Sequence, residues 1–288
     1  MKTNLFRDPR HRLRNGWKVL AFALATVLAV VALGALMRAL PAGVKAFVPG
    51  PLPITLAAVL ISWGALRLEG RRLADIGLRL DGRFLREWLA GGLAGAALIG
   101  ITAALVMGAD GFHWIGAPRP SFDAETKVVF EFFCVAIFEE LVIRGYPLQR
   151  AIRGLGTGWA VGLFALLFAA LHLPGNLGYG GPLLATAMLN IFAAGVMLSL
   201  CYLRTGSLAL QIGLHFGWNL TQESLGFGVS GIATHGWLQP VYHHRSDWLT
   251  GGAFGLEASV FALVTVGAVI LWLARRPSLT PRLASLAR

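Results

Sequence analysis

The amino-acid sequence predicts an all-α fold, a polytopic transmembrane helical bundle of about eight spans. Hydrophobic residues make up 56% of the chain and charged residues only 14%, with a mean hydropathy of +0.66, whereas soluble domains carry about a quarter charged residues. Apolar stretches of about 20 residues, the length that crosses a bilayer, recur along the chain. The basic residues between these stretches fall mostly on one side of the predicted membrane.

Eight apolar segments are the predicted spans, in chain order roughly 18–38, 50–66, 88–108, 126–144, 157–173, 182–203, 207–223 and 254–274. The first apolar run is longer than the core of about 7–15 residues in a signal peptide, so we expect it to remain as an uncleaved span. No linker, repeat or low-complexity tract divides the chain. Residues 1–288 are therefore predicted to form a single membrane domain.

The distribution of basic residues predicts the orientation. With the N-terminus in the cytoplasm and eight spans, most of the 25 Lys and Arg residues fall in cytoplasmic segments; Arg38, Lys45, Arg119, Lys127 and Arg245 lie outside or near it. This bias follows the positive-inside rule and predicts an even span number with both termini cytoplasmic. Membrane lipids with anionic headgroups explain the net charge of +11 better than nucleic acid does, because no nucleic-acid-binding module is present.

Small residues are expected to bring helices together. Gly91 with Gly95, and Gly158 with Gly162, have the Gly-x-x-x-Gly spacing that permits close packing in lipid, although glycine is common in membrane helices anyway. Two cysteines also fall within predicted spans and are expected to be free, small apolar side chains, Cys134 and Cys201.

Ionisable residues interrupt the fourth span. Glu139, Glu140 and Arg144 lie at bilayer depth, where such groups persist mainly if they pair, face a polar cavity or do chemistry. Residues four apart share a helix face, so Glu140 and Arg144 can pair. Glu139 lies about 100° further round the helix. A structural ion pair explains Glu140 and Arg144 alone, but it leaves the other carboxylate without a local counter-ion.

Two histidines lie in other spans. His172 follows Phe168 at the end of the fifth span, where a lone histidine is usually interfacial. His215 and Asn219 share a face well inside the seventh span, where an interhelical hydrogen bond of about 0.6 kcal/mol is an equally good explanation. Polar residues with i,i+4 spacing thus occur in three separate helices. Because such residues are costly inside a membrane, one shared site explains them better than three independent structural contacts.

Carboxylate, imidazole and amide are the groups that hydrolysis needs. A carboxylate can take a proton from water, two imidazoles can bind a metal or orient that water, and an amide or guanidinium can stabilise an oxyanion. The sequence therefore predicts one polar site on three membrane helices. Its predicted catalytic residues are Glu139, Glu140, Arg144, His172, His215 and Asn219.

The ordered motifs resemble those of the CPBP family, the CAAX prenyl endopeptidases and bacteriocin-processing or self-immunity proteins also called the Abi family. Its motifs Glu-Glu-x-x-x-Arg, Phe-x-x-x-His and His-x-x-x-Asn are matched by Glu139, Glu140 and Arg144, by Phe168 and His172, and by His215 and Asn219. The resemblance covers about residues 125–220, the predicted catalytic core. The rest of the chain matches only in being apolar spans.

The resemblance implies an intramembrane endopeptidase that cleaves a membrane-bound protein or peptide substrate, with a prenylated CAAX-type peptide as one candidate. It implies that Glu139 is the general base and that His172 and His215 orient the water or bind a metal. It also implies that Asn219 is an oxyanion donor or a fourth polar contact, and that Glu140 and Arg144 support the site. The candidate ligands of a divalent metal such as zinc are Glu139, His172 and His215, in which case Glu140 would be the base. A water activated by Glu without a metal is the alternative. Three histidines are instead expected to be exposed loop residues, with no acid nearby except Asp247: His235, His243 and His244.

Two other functions stay open at this stage. The same groups would suit a proton-coupled transporter, although no internal symmetry of the transporter kind is visible. They would also suit a non-proteolytic immunity or binding protein that partners another membrane protein. The high ratio of Arg to Lys and the richness in Ala and Gly favour a bacterial cell membrane as the location.

The depth of the site constrains the fourth helix. If the eight predicted spans cross the membrane one after another, Glu139 lies near the cytoplasmic end of its span and His172 near the outer end of the next. The two residues could not meet in that arrangement. We therefore expect the fourth helix to continue through Tyr146 to about Arg153, and the fifth to be short or tilted, because irregular backbone is tolerated where it lines a cavity.

Overall fold

The computed structural model describes residues 5–6, 12–45, 48, 50–234 and 236–275. Helices dominate these residues. In chain order they are α1 Asn15–Ala39, α2 Ala42–Lys45, α3 Leu52–Arg67, α4 Gly82–Gly108, α5 Phe122–Arg144, α6 Tyr146–Leu155, α7 Thr157–Asn176, α8 Gly181–Thr205, α9 Ala209–Ser224, α10 Asp247–Thr250 and α11 Val260–Arg275. Short 3-10 turns are also present at Leu73–Ile76, Gly252–Phe254 and Leu256–Ala258.

A helix lies at each of the eight predicted spans. Of the helices described, α1, α4, α7 and α8 are long and apolar enough to cross a membrane, while α3 and α11 are shorter apolar helices. Each of those two has 16 residues, about 24 Å at 1.5 Å per residue and less than the roughly 30 Å of a bilayer core. The all-α helical membrane fold is confirmed, whereas the count of eight spans stays a prediction.

The predicted continuous helix through Tyr146 is wrong, because the chain breaks at Gly145. A Cβ on Gly145 would lie 2.4 Å from the carbonyl oxygen of Leu141, so only glycine fits the turn. Pro147 lies in the first turn of α6, where a missing N–H costs nothing. The fifth helix is not shortened, since α7 runs for 20 residues.

The break nevertheless places the end of α5 beside the middle of α7. The guanidinium of Arg144, at the end of α5, lies over the ring of Phe168 in the middle of α7. The chain therefore continues in α6 beyond the end of α5 before it turns back into α7. Residues near the end of α5 consequently face the central part of α7.

Helices α4 and α9 are in backbone contact. A Cβ on Gly91 would lie 2.1 Å from the carbonyl oxygen of Leu210, and one on Gly95 would lie 2.1 Å from that of Leu214. The predicted close packing of this pair is therefore confirmed.

Glycines of α9 meet α4 in the same way. A Cβ on Gly213 would lie 2.0 Å from the carbonyl oxygen of Trp88, and one on Gly217 would lie 2.1 Å from that of Gly92. His215 lies between these two glycines on α9. The contact with α4 thus fixes the backbone that carries the histidine.

A small antiparallel sheet, which the sequence did not predict, joins two of the loops. Strand β1, Phe112–Gly116, pairs with β2, Leu238–Tyr242. Phe112 is buried and packs edge to face against Phe227. The sheet therefore ties the segment before α5 to the segment after α9, the two helices that carry the acids and His215.

The glycine contact generates a stability prediction. Gly95→Ala should destabilise the protein by about 1–3 kcal/mol, because the added methyl group must push α9 away from α4. The matched control is Gly162→Ala on α7, where a Cβ would meet nothing within 4 Å and the predicted close packing is absent. Reversible unfolding in detergent measures both, and equal losses would contradict the contact.

Candidate active site

The carboxylate of Glu140 is the centre of the polar site. It is fully buried, and its Oε1 accepts a hydrogen bond of 3.0 Å from Nη1 of Arg144, as predicted from their spacing. The same oxygen lies 3.1 Å from Nδ1 of His215 on α9. Because an ionised carboxylate only accepts, Nδ1 of His215 carries the hydrogen of this bond. Glu140 therefore sets the orientation of His215.

Arg144 connects α5 to two further helices. Its Nη2 donates to the carbonyl oxygen of Gly195 on α8, at 3.3 Å. Its guanidinium carbon lies 4.3 Å from the ring centroid of Phe168 on α7, a cation–π contact. Such contacts are worth about 2 kcal/mol or more when they are desolvated. The phenylalanine of the second motif is thus explained as a partner of the arginine of the first.

Glu139 has a different environment from Glu140. Its side chain is 23% exposed and lines a cavity of about 1690 Å³. Its Oε2 lies 3.8 Å from Nε2 of His215, too far for a direct hydrogen bond. This oxygen is buried and has no hydrogen-bond partner among the residues that the structure describes. One carboxylate is therefore held by arginine, while the residue that carries the other lines a cavity.

His172 presents one nitrogen to the site. Its Nδ1 lies 2.8 Å from the carbonyl oxygen of Phe168, and since a carbonyl only accepts, this nitrogen carries a hydrogen. Nε2 is left for other partners. The ring of Phe168 lies 4.8 Å from His172 and 6.3 Å from His215, centroid to centroid, so the two imidazoles flank one phenylalanine.

Asn219 lies one turn after His215 on α9 and is buried. It lines the large cavity together with Glu139, His172 and His215. It also lines a second, small cavity of about 50 Å³, which both imidazoles share. The structure thus brings the six predicted residues to one place: four line the large cavity, and the Glu140–Arg144 pair lies behind them. Their catalytic roles stay predictions.

Two buried polar residues of the small cavity were missed by the sequence analysis. Glu257, in the 3-10 turn before α11, is 7% exposed, and Asn190 on α8 is 1% exposed. Glu257 was visible as the acid of the segment 254–274, and the cost of a carboxylate in an apolar segment would have identified it. A lone asparagine in a span gives no comparable signal.

The predicted metal ligands can be tested against the geometry. A catalytic zinc site needs about three protein ligands and an open position. Glu139 and His215 face each other, but among the residues that the structure describes no three His, Cys, Asp or Glu side chains form a group that could hold a metal ion. The predicted set with His172 therefore does not fit a metal in this arrangement, and metal dependence stays a prediction.

The histidines that were expected to be exposed in loops differ from expectation at one position, His243. Nδ1 of His243 lies 2.7 Å from Oδ1 of Asp110, and its Nε2 lies 2.8 Å from Nδ1 of His113. The expectation that no acid other than Asp247 lies near it is therefore wrong, because β-sheet pairing brings Asp110 close. The hydrogen bond from His243 holds the pKa of Asp110 below its usual range.

His244 is exposed, as expected. His235 lies outside the described residues.

The large cavity has mainly apolar walls. Residues from α1, α5 and α7 form them, including Phe22, Val27, Phe132, Val135 and Leu167. Its volume exceeds the roughly 300–1,000 Å³ that is usual for sites of small molecules. A ligand that fills it must be large and largely apolar.

One family model matches the part of the chain that carries the three motifs. Residues 125–221 match the model described as type II CAAX prenyl endopeptidase, Rce1-like. The match spans about a third of the chain. No curated protein matches the chain. The resemblance to the CAAX prenyl endopeptidase family is thereby confirmed, and it indicates a membrane protease in general terms.

Proposed function

We propose that this protein is an intramembrane endopeptidase that hydrolyses a peptide bond of a membrane-associated substrate with a water activated by Glu139 and His215. The observation that carries the proposal is the placement of these two side chains. Oε2 of Glu139 and Nε2 of His215 face each other at 3.8 Å on the wall of the large apolar cavity. A water beside this pair can donate one hydrogen bond to each.

Glu139 is the general base of the proposed reaction. It takes a proton from the water while the water oxygen attacks the carbonyl carbon of the scissile bond. The negative charge that develops on the carbonyl oxygen is met by a hydrogen-bond donor, for which the side-chain amide of Asn219 is suited by its position on the same cavity. When the C–N bond breaks, the proton held by Glu139 passes to the leaving amine, so the base is restored.

Glu140 and Arg144 support the reaction without touching the substrate. Glu140 fixes Nδ1–H of His215, so that Nε2 faces Glu139. Arg144 compensates the charge of Glu140, which would otherwise be a buried anion of high cost. Two adjacent carboxylates thus have separate tasks because one is paired and the other is not.

The shape of the cavity supports a lipid-modified peptide as substrate. Its apolar walls suit a hydrocarbon chain, and its volume leaves room for a peptide backbone near Glu139. The family match adds that relatives are described as CAAX prenyl endopeptidases. We therefore propose a prenylated peptide of the CAAX type as the substrate class.

Glu139→Gln should lower cleavage of a prenylated CAAX-type peptide by at least about 100-fold, because a general base contributes about 10²–10⁴-fold. Purified protein in liposomes and detection of the cleaved peptide provide the assay. The control is Glu131→Gln, which changes another carboxylate of the same helix and cavity. It should retain activity within about threefold, which is small beside the effect of a base.

Three outcomes would count against the proposal. Equal activity of the wild type and Glu139→Gln would remove Glu139 as the base. Equal loss in both variants would indicate general damage to the helix. Cleavage of an unmodified peptide as fast as the prenylated one would reject the substrate class while leaving the endopeptidase activity intact.

Metal content separates the two chemistries that the sequence left open. Because the described residues form no group of three ligands, we expect purified protein to hold well below one divalent ion per chain and chelators to leave cleavage unchanged. Elemental analysis of the wild type beside Glu139→Gln measures this. One ion per chain that is lost in the variant would show that Glu139 is a ligand.

A further inference from the structure

Glu257 is a buried carboxylate with a hydrogen-bonded but uncharged neighbourhood. Oε1 accepts from Nε2 of Gln222 at 3.0 Å and from the backbone N–H of Ser230 at 3.4 Å. Oε2 accepts from the hydroxyl of Ser230 at 3.1 Å. Within the described residues no Lys or Arg forms an ion pair with Glu257.

The sequence of α9 explains why this carboxylate faces the site. His215, Asn219 and Gln222 have the i, i+4, i+7 spacing of one helix face. The hydrogen bond from Gln222 therefore holds Glu257 in line with the imidazole and the amide. On the opposite side of His215, Glu140 occupies Nδ1.

The small cavity separates Glu257 from the imidazoles. Its volume of about 50 Å³ is lined by Glu257, Asn190, Ser230 and both histidines. A water needs a space of about 10–15 Å³ and two to four polar partners. Asn190 lines this cavity, and its Oδ1 is buried and has no hydrogen-bond partner in the described part of the chain. An acceptor buried without a partner costs about 1–3 kcal/mol, and a water in the cavity removes that cost.

We propose that Glu257 is a further positioning residue of the hydrolytic site, acting with Asn190 through water bound in the small cavity. One bound water donates to the carboxylate of Glu257 and to Nε2 of His172, and so orients this imidazole. A second water in the same cavity donates to Oδ1 of Asn190 and to the first water. Nε2 of His172 is the nitrogen available for this contact, because Nδ1 is held by the carbonyl of Phe168. This inference rests on the proposed peptidase function.

For the reaction, this arrangement means that each of the two imidazoles is held in position by its own carboxylate. Glu140 fixes His215 from α5, and Glu257 fixes His172 from the turn before α11. The two imidazoles need to keep their relative positions while charge moves from the attacking water to the carbonyl oxygen. Fixed dipoles that require no reorganisation during the step stabilise such charge most strongly.

A purely structural role is the competing explanation. The segment around Glu257 is tightly built: Gly255 has φ +114°, and a Cβ there would lie 1.9 Å from the carbonyl oxygen of Gly228. Glu257 also bonds Ser230 in the neighbouring loop. Its removal could therefore disturb the loop alone, so the test must separate stability from catalysis.

The test compares Glu257→Gln, which keeps the shape and an acceptor oxygen, with the control Glu87→Gln. Glu87 pairs with Arg83 on α4 and lines neither of the two cavities. Glu257→Gln should lower kcat for the prenylated peptide by at least about tenfold, with KM changed less than about twofold. Its unfolding temperature should stay within about 2 °C of the wild type. Since about 1 kcal/mol shifts Tm by about 2–4 °C in a chain of this size, this limit corresponds to a loss of stability below about 1 kcal/mol. Glu87→Gln should change neither kcat nor KM.

Two results overturn the inference: a kcat of Glu257→Gln within twofold of the wild type, or a fall in kcat that is matched by a fall in unfolding temperature. Glu139→Gln is measured beside it. If the wild type and Glu257→Gln are active and Glu139→Gln is inactive, the role of Glu257 is rejected while the proposed peptidase function stands.

A second measurement does not depend on cleavage. An experimental structure that resolves waters should show one within about 2.7–3.2 Å of Glu257 and of a histidine nitrogen. A dry small cavity would overturn the inference even if the wild type cleaves no peptide at all.

Discussion

The site depends on one oxygen atom, Oε1 of Glu140. A carboxylate that is fully excluded from solvent persists only when charged or strongly polar partners surround it. Arg144 and His215 both meet this atom. The requirement to satisfy a buried charge therefore joins α5 to α9, and through Arg144 also to α7 and α8. The geometry of the polar site and the packing of these helices are consequences of the same ion pair.

The backbone contacts make this meeting of side chains possible. Glycines hold α9 against α4, on either side of His215. The turn at Gly145 ends α5 just after Arg144, so that the chain can continue in α6 and return in α7 at the depth where Phe168 meets the guanidinium. The polar residues supply specific partners, while the small residues let the helices approach closely enough for these partners to touch.

Sequence reasoning found the features that local spacing determines. Glu140 and Arg144 are four residues apart, so their pairing follows from helix geometry. The close approach at Gly91 and Gly95 follows from their spacing, yet the identical spacing at Gly158 and Gly162 makes no contact, because the outcome depends on which helix lies opposite. The break at Gly145 and the arrival of Asp110 beside His243 depend on tertiary packing, which no local pattern contains. Glu257 could have been identified from the sequence, since the cost of a carboxylate in an apolar segment, which identified Glu139, applies to it equally.

A double-mutant cycle between Glu140 and His215 tests the central claim most directly. The free energy of unfolding in detergent is measured for the wild type, Glu140→Gln, His215→Leu and the double variant. Residues in direct contact show coupling energies of about 0.5–3 kcal/mol, and we predict at least about 1 kcal/mol here, since one partner is a buried carboxylate. Additive effects within about 0.3 kcal/mol would show that the acid of α5 and the imidazole of α9 do not meet, and would contradict the account.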